Sequence, residues 1–276
     1  MTSPAQKQPA FILSLRRIRA VWMRHAYVFM QSPVRLIEVT FWPLVSMVLW
    51  GFVSQHMSNL GVSPLAQAFG VLLGGVILWE LVFRTQIGMS FAYLEEVWAR
   101  NLGHMAISPL RPFEWWLGMM GFSLTRSIVG VSLAAALAIP FYGFDILSLG
   151  WPLAAFFFNL VLMGWWLGFF IMAVLMRAGP GAEGIAWMMT YTFAPFCAIY
   201  YPISTLPVWM QAISNAIPAA HVFESLRQLV ATGEFSTNGF FTALGLNVIY
   251  LLLSMVAVLW SFDDARRRGT LLQPGE

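Results

Sequence analysis

Charge is scarce in this chain: 10% of its 276 residues are Asp, Glu, Lys or Arg, too few to coat a water-soluble core of that size. A soluble globular domain is thereby excluded. Cysteine is nearly absent. With Cys197 alone there is no intrachain disulfide and no thiol cluster for a metal. Lysine is equally rare, and a phosphate-binding loop needs one after its glycines to reach the nucleotide phosphates. Lys7, in the N-terminal stretch, is the sole lysine, so hydrolysis of ATP by that route is excluded. The histidines His25, His56, His104 and His221 are dispersed, with no His-Glu-x-x-His pair for a metalloprotease and none mid-run to face a serine inside a bilayer. The first residues are basic but lack a short apolar core ending in small residues, so no cleavable signal peptide is expected.

What is present is hydrocarbon. Apolar residues make up 59% of the chain and aromatics 16%, and mean hydropathy is +0.72. The fold class expected is an all-α polytopic membrane protein. Runs of spanning length fall at 36–56, 65–87, 113–139, 151–175, 185–203 and 239–261, which predicts six transmembrane helices, since about 20 residues cover the hydrocarbon. The net charge of +3 does not form one face, which argues against nucleic acid as a partner. Instead Lys7, Arg16, Arg17, Arg19, Arg24, Arg35, Arg100, Arg111, Arg177 and Arg266–Arg268 flank the runs on one side, whereas the other side has only Arg227. The positive-inside rule then puts both termini in the cytoplasm.

Three regions follow: 1–35, a tail and an interfacial amphipathic helix; 36–262, the six-span domain; and 263–276, a cytoplasmic tail. In the first, Phe11, Leu15, Ile18, Trp22, Ala26 and Phe29 recur every three or four residues, with arginines mostly on other faces. That pattern suits a helix lying on membrane lipid, arginines toward anionic headgroups. The longest inner loop, 88–112, reads as helical to about Met105 and holds Glu95, Glu96, Arg100 and Asn101. Glu96 and Arg100 have i,i+4 spacing in the favourable order, while Tyr93 and Trp98 add surface of the kind that anchors interfaces. A solvated linker helix fits the same residues.

Arg126 lies about 13 residues, roughly 20 Å, into the third run. Facing lipid it would be costly, so it either lines a substrate path or braces helices inside the bundle. Glu80 and Arg84 are i,i+4 partners, for which bracing is the favoured reading. Asn159 and Asn247 are the main polar points of the fourth and sixth runs. A proton- or sodium-coupled carrier usually needs intramembrane carboxylates, and Glu80 is the one good candidate.

The most irregular stretch is 193–230. Pro202, Pro207 and Pro218 break it too often for a crossing helix. Between the breaks lie two short amphipathic helices, Val208 to Ile217 and Ala219 to Val230, expected to fold back at the outer face as a re-entrant hairpin over 202–231. Irregular backbone at membrane depth survives only where protein or water satisfies it.

Two motifs together resemble the membrane subunits of type-2 ABC exporters, the permeases of polysaccharide, lipo-oligosaccharide and drug export. One is Glu95-Glu96…Asn101…Ser108-Pro109-Leu110…Glu114…Gly118. The other, more specific, is Tyr201-Pro202-Ile203-Ser204…Leu206-Pro207…Trp209-Met210-Gln211…Pro218…His221…Glu224…Arg227. The chain departs from the pattern at Phe196-Cys197-Ala198, where many relatives have a glycine-containing turn. The resemblance implies a bacterial inner-membrane permease that exports substrate as a dimer, with itself or with a sister subunit. A separate ABC ATPase would carry the ATP and magnesium, and this chain would bind no cofactor or metal and have no catalytic residue. It also implies that Tyr93, Glu95, Glu96, Trp98, Arg100 and Asn101 belong to a coupling helix. Tyr201, Pro202, Leu206, Pro207, Trp209, Pro218, His221, Glu224 and Arg227 would form an external gate. The rival readings are a channel or carrier that does not use ATP and, further off, an enzyme.

Overall fold

Proline and glycine divide the chain into its helices. Pro33, Pro112, Pro152 and Pro218 lie at or next to helix starts, where a missing N–H costs nothing. Gly143 (φ 64°) and Gly233 (φ 75°) end two helices in the left-handed region. The computed structural model describes residues 10–59 and 65–268 and contains no strand among them; Lys7 and the tail beyond Arg268 lie outside the described residues. Ten helices follow in order: α1 Ala10–Met30, α2 Pro33–Asn59, α3 Leu65–Trp98, α4 Leu102–Ile107, α5 Pro112–Tyr142, α6 Trp151–Ala178, α7 Gly184–Phe193, α8 Val208–Asn215, α9 Pro218–Thr232 and α10 Thr237–Arg268.

Five of these, α2, α3, α5, α6 and α10, are long and apolar enough to cross a membrane. The expected fifth run, 185–203, is not one spanning helix. Its helical part, α7, has 10 residues, or about 15 Å, half the hydrocarbon thickness. Pro195 supplies the reason, because it cannot donate to the preceding turn. The chain passes into a 3-10 turn, Ala194–Phe196, and then to Ala198 at φ 57°.

The centre of the bundle is the contact of α3 with α6. Gly164 and Gly168, four apart on α6, press against α3: a Cβ on the first would lie 2.6 Å from Thr85 Cβ, and on the second 2.5 Å from Met89 Cβ. Small residues at this spacing let two membrane helices approach backbone to backbone. Around this pair, α2, α5 and α10 keep broad apolar faces exposed, among them Phe41, Trp42, Phe52, Ile128, Val129, Leu252, Leu253 and Val256. These faces belong in acyl chains or against another membrane helix.

Helix α1 forms as its periodicity predicts, and its packing gives it a definite direction. Arg17 meets Glu114, Val21 packs on Gly118, His25 stacks on Phe122 and Phe29 reaches Arg126. Each four-residue step on α1 is matched by four on α5, so the two helices run side by side in the same direction for three turns.

Candidate functional site

The 88–112 segment is built differently from the helix its sequence suggests. Nothing breaks α3 after residue 87: Met89, Ala92, Tyr93 and Leu94 stay buried, and the helix continues to Trp98. It ends in a reversal. Arg100 has φ 52°, the Arg100 N–H donates to the Val97 carbonyl and the Asn101 N–H to the Glu96 carbonyl. That is a helix-ending motif in which glycine is usual at the left-handed position; a side chain there costs about 1–2 kcal/mol. Helix α4 follows and stops before Ser108-Pro109.

The reversal prevents the expected Glu96–Arg100 pair, since Arg100 no longer lies one turn along a helix from Glu96. Glu96 instead is 1% exposed and takes a two-point ion pair from Arg24, at 2.7 and 2.8 Å, with a third bond from Asn101 Nδ2 at 2.6 Å. Glu95 pairs with Arg35 and lies 3.4 Å from Nδ1 of the buried His25, whose Nε2 is 3.7 Å from Glu96. Two carboxylates on α3 thus hold the end of α1 and the start of α2, walling a cavity of about 240 Å³. The Arg24–Glu96 pair is forked, with the carboxylate buried and the guanidinium partly exposed, and such a pair fixes position more than it adds stability. Tyr93 is buried beside Trp115. Of the six residues expected to couple, Trp98 and Arg100 face outward, and with them His104 and Ile107, the last 84% exposed.

At the opposite end of α3, residues 194–230 form a collar held by side chains bonded to backbone. His221, Glu224 and Arg227 lie on α9 three apart, and each binds a different point of the preceding chain. His221 Nε2 lies 2.8 Å from the Asn215 carbonyl, Glu224 Oε1 accepts the Ile203 N–H at 2.7 Å, and Arg227 donates to the Ala198 carbonyl. Glu224 also receives Arg227 Nε at 3.3 Å. Further bonds run from Tyr201 to the Pro195 carbonyl, from Gln211 to that of Leu206 and from Tyr250 to that of Ala216. Three breaks in so few residues leave many backbone groups without helical partners, and this set satisfies them. Pro202 precedes the 3-10 turn Ile203–Thr205, Pro207 precedes α8, and Pro218 opens α9. Tyr200 stacks on Trp50 at 4.3 Å, whereas Val208 and Trp209 stand out on α8 at 83% and 63% exposure. A polar cleft of about 460 Å³ opens beside α9, lined by His221, Glu224, Arg227, Gln228, Ser236 and Asn238.

A family model described as ABC-2 type transporter matches residues 12–230, well over half the chain, including both the clamp on α3 and the collar. The chain belongs to the ABC-2 type transporter family. No curated protein matches it.

In this ABC-2 transporter chain the paired reading of Glu80 and Arg84 holds: they meet at 3.4 Å, Ser46 donates to Glu80 at 2.8 Å, and Arg84 is fully buried. Asn159 and Asn247 prove to be one unit. The Asn247 amide donates to the Asn159 carbonyl and Oδ1, and its own Oδ1 accepts Trp166 Nε1 at 3.1 Å. Arg126 sits apart from both ends, at the junction of α1, α2 and α5, its guanidinium 5.4 Å from the Phe29 ring. Sequence reasoning passed over Arg24, His25 and Arg35 as partners of Glu95 and Glu96, and over Gln86, whose amide oxygen accepts Thr190 of α7. The charge balance between 16–35 and 95–96 was an available signal for the first set; nothing local marks Gln86.

Proposed function

We propose that this chain is the membrane-spanning permease subunit of an ATP-driven exporter, acting as a dimer with a separate ABC ATPase beneath it. The observation that carries the reading is the elbow after Trp98. Here a continuous helix from the bundle centre ends in a strained turn, its carboxylates tied to α1 and α2, its tip presenting Trp98, Arg100, His104 and Ile107. A lever of this kind would transmit a push on the tip to α3 and α1 together. ATP and magnesium would act on the partner chain. In this reading the elbow is cytoplasmic, with both termini on its side of a bacterial inner membrane. Helix α7 and the turn after it make the fifth of six crossings, and α8 and α9 form an external re-entrant gate around Tyr201, Pro202, Leu206, Pro207, Trp209 and Pro218.

An ion-coupled carrier draws less support, because Glu80, its candidate carboxylate, is occupied by Arg84 and Ser46. The test is capture of the ATPase by the tagged permease. Trp98→Ala with Arg100→Glu should abolish capture without loosening α1, and Glu96→Lys should weaken it by releasing α1. Capture unchanged in all of these would remove the elbow as the docking point.

A further inference from the structure

Arg126 carries no hydrogen bond and no ion pair among the described residues. Its Nε is sealed from solvent and has no partner, while the two terminal nitrogens reach the surface of the bundle. Glu38 and Glu95 attract it while Arg84 and Arg35 oppose it from nearby, yet no carboxylate among the described residues forms an ion pair with it. The Phe29 ring lies on one side. A guanidinium has five donors, and leaving them unmet beside low-dielectric surroundings is costly. Nε is beyond reach from outside, so a partner outside the chain can meet only the donors of the two terminal nitrogens.

The three helices that meet there define that partner. Thr125 and Val129 on α5, Met30 at the end of α1, and Val34 and Ile37 on α2 are exposed, and four of the five are apolar. Because α1 lies along the first three turns of α5, the lipid boundary on α5 is taken to fall near Arg126 and not near Pro112, and the terminal nitrogens emerge beside apolar surface at the elbow where α1 hands over to α2. An anion arriving there has to bring hydrocarbon with it. Planar, two-point recognition by arginine matches a phosphate oxygen pair.

We propose that Arg126 is a phosphate-binding site for a membrane phospholipid, whose headgroup wedges between α1, α2 and α5 and whose chains lie along the exposed face of α5. The lipid supplies a counter-charge in direct contact, where Glu38 and Glu95 act only from a distance. It also steadies the α1–α2 elbow, one turn from the residues that hold Glu95 and Glu96.

The test uses the purified full chain in a phosphate-free maltoside detergent, with thermal unfolding as the readout. Phosphatidylglycerol should raise the midpoint by several degrees and diacylglycerol should not. Arg126→Leu and Arg126→Gln should lose at least half of that rise, with about a tenfold weaker dependence on lipid concentration, and Arg126→Lys should keep part of it. Arg19→Leu, which removes an exposed arginine of α1, should leave it largely intact. Equal rises in wild type and both Arg126 variants would overturn the site. If inorganic phosphate reproduces the full rise, the anion site stands and the lipid as its source falls. Should Arg126→Leu and Glu38→Gln each lower the midpoint in detergent alone, by equal and non-additive amounts and with no lipid dependence, Arg126 is an internal ion pair and the proposal fails.

Discussion

Arg227 on α9 donates to the backbone carbonyl of Ala198, 29 residues earlier, at the point where the chain leaves α7 and reverses. Ala198 is fully buried and holds φ 57°, a conformation that a side chain makes costly. One charged donor thus secures a turn whose left-handed backbone favours glycine. Because a buried carbonyl would be left unpaired, Arg227→Met should cost about 2–3 kcal/mol. Lysine should not restore it, since the forked group also contacts Glu224. Denaturant unfolding of the purified variants checks both expectations; a loss below 0.5 kcal/mol, as is usual for exposed sites, would mean that the bond contributes little.

How much of this was legible in the residues depends on the range of the forces involved. Hydrophobic runs and prolines are local, and they marked α2, α5, α6, α8 and α9 to within a few residues, as well as the start of α10, whose end lies beyond the expected 261, at Arg268. The boundary of α3 was not legible, because its extension to Trp98 is stabilised by burial of Met89, Tyr93 and Leu94 against other helices. The spacing of His221, Glu224 and Arg227 was visible as a motif, whereas its use, three backbone points pinned in a row, depends on where the chain folds back. Glu96 misled for the same reason: an i,i+4 partner was near in sequence, but Arg24 is nearer in space.

Arg100 offers a second test of backbone strain, without burial to confuse it. The residue is exposed and its side chain makes no bond among the described residues, so Arg100→Gly removes only the left-handed penalty, against the entropy that glycine adds to the unfolded chain. A gain of about 0.5–1 kcal/mol is expected. Because Arg100 also stands on the proposed docking tip, coupling is compared with Arg100→Ala, which loses the same side chain but keeps the strained backbone: if the strain serves the elbow in passing on motion, the glycine variant should couple less well than the alanine one. Paired measurements of unfolding and of ATPase stimulation by the permease separate the two effects.

The contact of α3 with α6 should tolerate nothing larger than glycine at its centre. A Cβ at Gly164 would meet Thr85 Cβ at 2.6 Å and the Val82 carbonyl at 3.0 Å, both on a packed helix that cannot yield locally. Gly164→Val should therefore cost about 3 kcal/mol or more by forcing the helices apart, and should lower the amount of folded protein recovered from membranes. Gly181 is the control: nothing lies within 4 Å of a Cβ there. Gly181→Ala should leave the yield unchanged.

Asn247 joins α10 to α6 through three hydrogen bonds. Interhelical hydrogen bonds in membranes contribute about 0.6 kcal/mol on average and up to about 1.7, so the expected loss for Asn247→Leu is near the upper end. The leucine fills most of the volume but strands two groups, the Trp166 indole N–H and Asn159 Oδ1. Replacing Asn159 by leucine as well removes one of the stranded groups. The double variant should then recover part of the loss, giving a coupling of about 0.5–1 kcal/mol between the two sites. Additive losses in unfolding measurements would show that the two asparagines act independently, and that Asn247 is held chiefly by the indole.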